Sequence, residues 1–409
     1  MSNDVVIVGA GQAGAWVAIT LRELDPTRSI TLIGAEPHPP YERPPLSKAI
    51  LSGAATLDSA YIKPLAYYDD KNITMLLDSA VSRIDRDAKA VVLEDGQSVP
   101  YGVLVLATGA RARPLPLPGA ALPQVQMLRT AADADRIKPH LRPGQRVVAI
   151  GAGFIGLELA AAAVGAGCTV TVLDAAPQPM GRVVDKAVAD VIAASHSDRG
   201  VSLRLSCKIV GIVANGDHVD IELGDGERIP ADLVIVGVGS IPNTELAQQA
   251  GLDCEDGVLV DAMGRTSVTD IYAVGDVSRH FNPLLGRSLR LESWQNAQNH
   301  GQAVARIIAG GELPYAEVPW FWTDQYDFNF QMAGAPSGWD RVVWRGQPEA
   351  GKFSAFYLKG DRVVAGNTFN NARDMRFIKQ LISGAMPVED AMLADPAQSL
   401  AKIIQGQLT

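Results

Sequence analysis

Cysteine is scarce: the 409 residues include three, Cys168, Cys207 and Cys254, and no two of them form a C-x-x-C pair. That spacing excludes a local redox disulfide of the thioredoxin type and offers no ligand set for zinc or an iron–sulfur cluster, so redox chemistry would have to reside on a bound cofactor. Positive charge is also short. Against 45 Asp and Glu stand 36 Lys and Arg, a net charge of -9, which argues against nucleic acid as a partner. No apolar run of about 18 residues is free of glycine and charge, and the N-terminus has no basic segment leading into a cleavable apolar stretch. Neither a membrane partner nor an export signal is expected, and a cytoplasmic location follows as the default. The 47% hydrophobic and 20% charged content is that of a soluble globular protein, long enough for about two or three domains.

Glycine, by contrast, is abundant and patterned. DVVIVGAGQAGAWVAITL (Asp4 to Leu21) and RVVAIGAGFIGLELAAAA (Arg146 to Ala163) share one design: an apolar run, a G-x-G-x-x-G loop and a helix-like stretch. In the first, the strand Val5 to Val8 leads into Gly9, Gly11, Ala13 and Gly14, a helix from Ala15 to Leu24 follows, and a second strand, Ile30 to Ile33, ends near Glu36. The unit is a βαβ with an acid about 20 residues beyond the loop, the arrangement that binds a dinucleotide. The first glycine permits the tight turn, the second lets the backbone approach a pyrophosphate, and the third lets helix and strand pack closely, with the helix N-terminus toward the phosphates. The second unit is equally complete, with strand Val147 to Ile150, loop Gly151, Gly153, Phe154, Ile155 and Gly156, helix Leu157 to Gly165, and strand Thr169 to Leu173 ending at Asp174. An acid there suits the free ribose hydroxyls of NAD and repels a 2'-phosphate; the next basic residue is Arg182. NADH is therefore expected over NADPH.

Between and after these units lie LVLATGARARPLPLPG (Leu104 to Gly119), ADLVIVGVGSIPN (Ala231 to Asn243) and RTSVTDIYAVGDVS (Arg265 to Ser278). The first two are paired strand-to-loop exits, one from each nucleotide fold, and the third returns to the first fold. The last third alternates as strands at Phe328 to Met332, Val342 to Trp344, Phe353 to Leu358 and Val363 to Ala365, then turns helical from Asp374 to Ser383, the pattern of a small α+β domain.

Together with PYERPPLSK (Pro40 to Lys48), GFIGLELAA (Gly153 to Ala161), ESWQNAQNHG (Glu292 to Gly301) and PWFWTDQY (Pro319 to Tyr326), these segments resemble the flavoprotein disulfide reductase superfamily. The specific resemblance is to its oxygenase-coupled NADH-dependent ferredoxin reductases, which lack the redox disulfide. It runs from about Val5 to the NNARD segment, essentially the whole chain. It implies an α/β fold with two Rossmann-like domains and a C-terminal α+β domain: FAD bound by residues 1–112 and 240–317, NADH by 113–239, and the C-terminal domain, 318–409, covering one flavin face.

Residue by residue, the resemblance implies that Asp276, after Gly275, bonds the ribityl chain of FAD, and that Ala107, Thr108 and Gly109 complete the FAD site. It places Arg43, Pro44, Val81, Arg129, Glu292, Ser293 and Trp294 around FAD, and Trp322 on the flavin ring. Lys48 and Glu158 are the implied catalytic pair near the flavin N5, Glu158 orienting the nicotinamide carboxamide and Lys48 supplying positive charge. On the NADH side, Gly237, Gly239 and Arg182 join the second loop. One position departs from the pattern: relatives commonly place an acid two residues after the strand that ends in Ile33, where this chain has Gly34-Ala35 and then Glu36.

The implied reaction takes hydride from NADH to FAD and passes single electrons to a [2Fe-2S] ferredoxin that feeds an oxygenase. The protein's work would be positioning and electrostatics rather than acid–base catalysis. Ferredoxins are typically acidic, so Arg290, Arg341, Arg345, Arg373, Arg376 and Lys379 are candidate docking residues. Other readings on the same scaffold are an NADH oxidase or peroxidase, a rubredoxin reductase, and a redox sensor that holds FAD and NAD with little turnover. An oxidase usually needs a cysteine near the flavin, and Ala49, Ile50 and Leu51 follow PPLSK instead. The sequence leaves open whether the chain is a monomer or a homodimer.

Overall fold

Uninterrupted runs of Val, Ile and Leu are the sequence form of strands buried on both faces, and each glycine loop follows such a run. The computed structural model describes residues 4–181, 183–335 and 338–408. Two units make up the chain, one from the described residues of Met1–Glu42, Leu57–Arg111 and Ser240–Pro319, the other from those of Arg43–Thr56, Ala112–Gly239 and Trp320–Thr409.

In the first unit a five-stranded parallel sheet runs in the order Ile271–Ala273, Val103–Leu106, Val5–Val8, Ile30–Ile33, Ile73–Leu76. The loop strand is central, so the glycine turn lies between its neighbours at the carboxyl edge, where doubly wound sheets bind nucleotides. The helix Gln12–Leu24 buries Val17, Ala18, Ile19 and Leu21 in one cluster with Val304 and Ala305 of the helix Trp294–Ile308. The helices approach closely because Gly301 faces the main chain: a Cβ built there would lie 2.6 Å from the carbonyl oxygen of Ala13. Small sheets also belong to this unit, among them Val81–Asp85 with Ala90–Leu93 and Ser98–Pro100, and Cys254–Glu255 with Gly257–Val260, Ser278–Asn282 and Arg287–Arg290.

The second unit repeats the plan. Its parallel sheet runs Ser202–Arg204, Thr169–Leu173, Arg146–Ile150, Leu233–Val236, Val125–Met127, again with the loop strand in the middle. It also contains an antiparallel sheet, in the order Trp320–Gln325, Phe328–Gly334, Arg362–Phe369, Lys352–Lys359, Arg341–Gln347. Phe330, Phe353, Phe356 and Tyr357 form its buried core. Against it the helix Ala372–Gly384 lays Met375, Ile378, Leu381 and Ile382, spaced by three and four residues as a single apolar stripe requires. The α/β architecture with two Rossmann-like folds and a C-terminal α+β region is that expected from the sequence.

Both loop helices begin three residues before the sequence reading placed them, at Gln12 and Phe154 rather than Ala15 and Leu157. The latter half of each G-x-G-x-x-G is already the first helical turn. Among the described residues, no helix is long and apolar enough to cross a membrane.

Candidate functional site

The glycine loops are built by the same close approaches. Gly9 and Gly151 have φ of +115° and +107°, and a Cβ on either would lie 2.2 Å or 2.4 Å from the carbonyl oxygen of Ala107 or Gly237 on the neighbouring strand's exit. Gly14 and Gly156 would meet the carbonyls of Gly9 and Gly151 at 2.0 Å and 1.9 Å. Gly11 and Gly153 differ. Each is a helix N-cap without a side-chain cap, no acid stands in either first turn, and among the described residues nothing lies within 4 Å of where their Cβ would be. Two uncapped helix ends thus face open space with backbone N–H groups and the positive end of the helix dipole, the donor set a pyrophosphate needs.

The acids beside the loops are arranged differently. Asp174 directly follows the strand Thr169–Leu173 and accepts from Ala152 N through Oδ2 (2.6 Å) and from Ala176 N through Oδ1 (2.7 Å), so the loop itself fixes the carboxylate. The equivalent residue after Ile30–Ile33 is Gly34, where a Cβ would come within 2.6 Å of the Ala10 Cβ. A side chain does not fit there; the position two residues after Ile33 is the exposed Ala35, and the acid of this stretch is the half-buried Glu36, which accepts from the Tyr41 hydroxyl.

Elsewhere in the first unit, the turn Ala107-Thr108-Gly109 is latched by Asn243. Thr108 Oγ1 donates to Asn243 O, and Asn243 Nδ2 donates to Thr108 O, both at 2.8 Å. Sequence reasoning grouped Asn243 with the strand exit but gave it no role. Gly275 (φ +71°) opens the 3-10 turn Gly275–Val277, where a Cβ would meet that of Ala13 at 2.8 Å; this lays half-buried Asp276 along the start of the first loop helix. Ser293 is the N-cap of Trp294–Ile308, accepting from Asn296 N, and Glu292 pairs with Arg290 and the Ser240 hydroxyl. With its amide oxygen toward the indoles, Gln12 accepts from Trp294 Nε1 at 3.1 Å and Trp16 Nε1 at 3.3 Å. Val81 begins the edge strand Val81–Asp85, half-buried against the core.

Arg43, Pro44, Lys48, Arg129 and Trp322 belong to the second unit, the one that carries the Gly151 loop. Arg43 donates to the carbonyl of Arg129, and Pro44 starts the 3-10 turn Pro44–Ser47. That turn delivers Lys48, whose Nζ lies 2.9 Å from Glu158 Oε1 and 6.0 Å from the Trp322 ring centre. Glu158, one turn into the loop helix, is 5% exposed and also accepts from the hydroxyls of Ser47 and, at 2.6 Å, Thr323. The buried carboxylate is thus paired and hydrogen-bonded, the condition under which a charge is tolerated inside a protein. Ser47 and Thr323 had no role in the sequence reading, although both lie inside quoted motifs. Trp322 is half-buried rather than a core residue, stacked on Trp320 at 5.0 Å. Phe154 packs on Phe321 at 4.1 Å, while Ile155 is 42% exposed. Gly237 faces Gly156, and Gly239 lies beside Arg113. Arg182 is outside the described residues.

Three docking candidates are committed elsewhere. Arg345 is 9% exposed and donates to the carbonyls of Leu393, Asp395, Pro396 and Gln398; Arg341 pairs with Asp390, and Arg290 with Asp256 and Glu292. Arg373 and Arg376 are exposed on the helix Ala372–Gly384, and Lys379 Nζ stands 5.7 Å over Trp320.

Two dinucleotide folds in one chain, with three free cysteines and no disulfide among the described residues, define an oxidoreductase that works through bound nucleotides. The chain belongs to the pyridine nucleotide-disulphide oxidoreductase family, which it matches over residues 3–301, and its residues 320–404 match the reductase C-terminal family. It is 43% identical to the ferredoxin–NAD(+) reductase component of the anthranilate 1,2-dioxygenase system of Burkholderia cepacia, covering 98% of this chain and 99% of that one. It is 40% identical to a rubredoxin–NAD(+) reductase of Pseudomonas putida, covering 90% and 95%. In the crystal structure of the covalent putidaredoxin reductase–putidaredoxin complex, a chain of 40% identity superposes with a TM-score of 0.96 over 100% of this chain and 99% of that one.

Proposed function

We propose that this protein is an FAD-dependent NADH:ferredoxin reductase of the cytoplasm, supplying electrons through a [2Fe-2S] ferredoxin to an oxygenase. Bound FAD supplies the step from a two-electron hydride donor to one-electron transfer. The observation that carries the reading is the pair of loops: both present an uncapped helix end to open space, and at the second an acid, Asp174, is fixed to the loop itself by the Ala152 N–H. The second loop is thereby shaped for the unphosphorylated ribose of NADH, and the first, with Glu36, for FAD.

Within this reading Glu158 accepts from the carboxamide N–H of the nicotinamide through the Oε2 lone pair that Ser47, Lys48 and Thr323 leave free. Lys48 pairs with that carboxylate and adds positive charge where negative charge gathers during transfer. Asp276, the latched Ala107-Thr108-Gly109 turn and the open backbone at Gly11 hold the FAD nucleotide. The ferredoxin reading draws on the 43% identical dioxygenase reductase component, and the 40% identical rubredoxin reductase keeps rubredoxin as the second reading of the partner. The purified protein is expected to be yellow, to bleach anaerobically with NADH far faster than with NADPH, and to reduce cytochrome c rapidly only when ferredoxin is added. A colourless preparation that takes up no FAD would end the proposal; rapid turnover with rubredoxin and none with ferredoxin would replace the partner.

A further inference from the structure

Glu158 is the end of a longer chain of hydrogen bonds that runs through the second unit to its surface. Its Oε1 accepts from Thr323 Oγ1 at 2.6 Å, and Thr323 Oγ1 in turn accepts from Gln325 Nε2 at 3.1 Å. Gln325 Oε1 lies 2.7 Å from His196 Nε2, and His196 Nδ1 lies 3.0 Å from the Tyr326 hydroxyl. Thr323, Gln325 and His196 are 1%, 2% and 0% exposed.

Chemistry assigns a direction to every bond. The amide oxygen of Gln325 only accepts, so His196 Nε2 carries the proton. Burial lowers the pKa of His196 and keeps the ring neutral, so Nδ1 accepts from Tyr326. The amide nitrogen of Gln325 only donates, so the Thr323 hydroxyl has its own proton for Glu158. Every donor from Tyr326 onward points toward the carboxylate, and aligned donors polarise one another. A primary amide at the centre does not pass protons on as an imidazole or hydroxyl does, so the chain orients rather than conducts.

The backbone carries a second observation. Gln325 pairs with Phe328 across a two-residue hairpin turn, and Tyr326 is the first turn residue, with φ +51°. Glycine or asparagine is the usual occupant of such a conformation, and strain of this kind persists where the surroundings hold it in place. Here the Tyr326 ring lies 5.0 Å edge-on from His196 with the Arg199 guanidinium 4.6 Å over it, and Arg199 is tied to Asp327, the other turn residue.

We infer that Gln325, His196 and Tyr326 are positioning residues for Glu158, setting the orientation in which its carboxylate receives the nicotinamide carboxamide and so the affinity for NADH. The inference rests on the reading of Glu158 as a nicotinamide-binding carboxylate. Each of the three acts on Glu158 through Thr323.

Steady-state NADH:ferricyanide kinetics and NAD+ binding to the FAD-loaded enzyme test it in Gln325→Leu, Tyr326→Phe, Glu158→Ala and the Gln325→Leu/Glu158→Ala pair. Losing a hydrogen bond that orients a charged group is expected to raise KM for NADH and Kd for NAD+ by about five- to tenfold in Gln325→Leu, the effect falling on KM more than on kcat. Tyr326→Phe removes one hydroxyl and keeps the ring between His196 and Arg199, so it tests the chain without disturbing the turn; a rise of about two- to threefold is expected. In the Glu158→Ala background, Gln325→Leu should add nothing. The same increment with and without Glu158 would overturn the inference, as would unchanged KM and Kd in both Gln325→Leu and Tyr326→Phe while Glu158→Ala shifts them. If Glu158→Ala itself leaves both unchanged, the reading of the site fails, and the inference with it.

Discussion

Asp174 and Ala152 are joined by a 2.6 Å hydrogen bond from the Ala152 N–H to Oδ2, which fastens an acid at the end of one strand to the glycine loop at the end of the next. A carboxylate oxygen accepting one backbone bond still has acceptor capacity for a ribose hydroxyl. Asp174→Ala therefore removes both the ribose acceptor and the charge that repels a 2'-phosphate. We expect KM for NADH to rise about tenfold and the preference for NADH over NADPH to shrink by at least as much, since a lost bond to a charged acceptor is worth about 1.5–3 kcal/mol. Parallel NADH and NADPH titrations check this; an unchanged preference would remove Asp174 from the ribose site.

The glycines of the first loop separate folding from binding. Gly9→Ala would push a Cβ to 2.2 Å from the Ala107 carbonyl at φ +115°, and insoluble or unfolded protein is expected. Gly11 has an extended backbone that any residue adopts (φ -93°, ψ -165°) and nothing within 4 Å of its Cβ position. Gly11→Val is expected to fold with normal secondary structure and to purify with little FAD. Absorbance at the flavin band against circular dichroism reads both outcomes, and a fully yellow Gly11→Val would mean that no phosphate comes close to that backbone.

How far the sequence could be read divides along physical lines. The two nucleotide folds were legible because their chemistry is local: strand, turn and helix follow one another within a few dozen residues, and Gly9, Gly11 and Gly14 each have a separate steric reason. Asp174 and Glu36 were legible for the same reason, although only the structure shows that Ala10 closes the Gly34 position. Ser47 and Thr323 were not. They meet Glu158 across 111 and 165 residues of chain, and no periodicity encodes a contact between segments of three different elements. The strand Trp320–Gln325 was hidden by its composition, because three consecutive aromatics in WFWTDQ mask any apolar–polar alternation. Arg345 shows the reverse error. Its charge resembled a surface docking group, whereas four backbone carbonyls of the segment Leu393 to Gln398 enclose it.

Removing Lys48 tests whether the ion pair serves the reaction. In Lys48→Met the methionine keeps most of the side-chain volume, and Glu158, 5% exposed, is left with Ser47 and Thr323 but no cation. Lys48 itself is 23% exposed, so water offsets part of the loss, and destabilisation of about 1–2 kcal/mol is expected rather than the full cost of an unpaired buried charge. The rate of reduction by NADH under anaerobic stopped flow is expected to fall about 10- to 100-fold, the range for losing one preorganised charge. A rate within twofold of the parent would make the pair structural.

Acid should weaken the first unit through two histidines. His280 and His300 are both fully buried, with ring centres 4.8 Å apart and Tyr315 stacked on His300 at 4.9 Å. Burial lowers the pKa of His280 to about 4 and that of His300 well below the ordinary value, the latter with a further push from His280. Unfolding releases both to about 6.5, so between these values the unfolded chain binds more protons. Their contribution is fully present above about pH 6.5 and is lost as pH falls toward 4, with a slope of roughly 1.4 kcal/mol per pH unit for each histidine. His280→Phe is expected to remove one histidine's share of the slope, roughly 1.4 kcal/mol per pH unit, in urea unfolding between pH 6 and 4.5; a parent stability flat across this range would contradict the neutral pair.

Docking of an acidic ferredoxin to a protein of net charge -9 requires that positive groups be local. Arg290, Arg341 and Arg345 have their charges answered by carboxylates or carbonyls within the fold. Arg373 and Arg376 are exposed three residues apart on the helix Ala372–Gly384, on the side opposite the stripe of Met375, Ile378, Leu381 and Ile382 that packs on the sheet. Adjacent positions at that spacing project together, and charges of this kind raise the encounter rate more than the strength of the complex. In Arg373→Glu/Arg376→Glu, kcat/KM for ferredoxin is therefore expected to drop about tenfold at low ionic strength, with the deficit closing as salt approaches ~0.5 M and screens the field. Reduction of ferricyanide by NADH is expected to follow the parent at every salt concentration. A deficit that persists at high salt would identify a direct contact rather than steering, and the same loss with ferricyanide would move the cause to the nucleotide site.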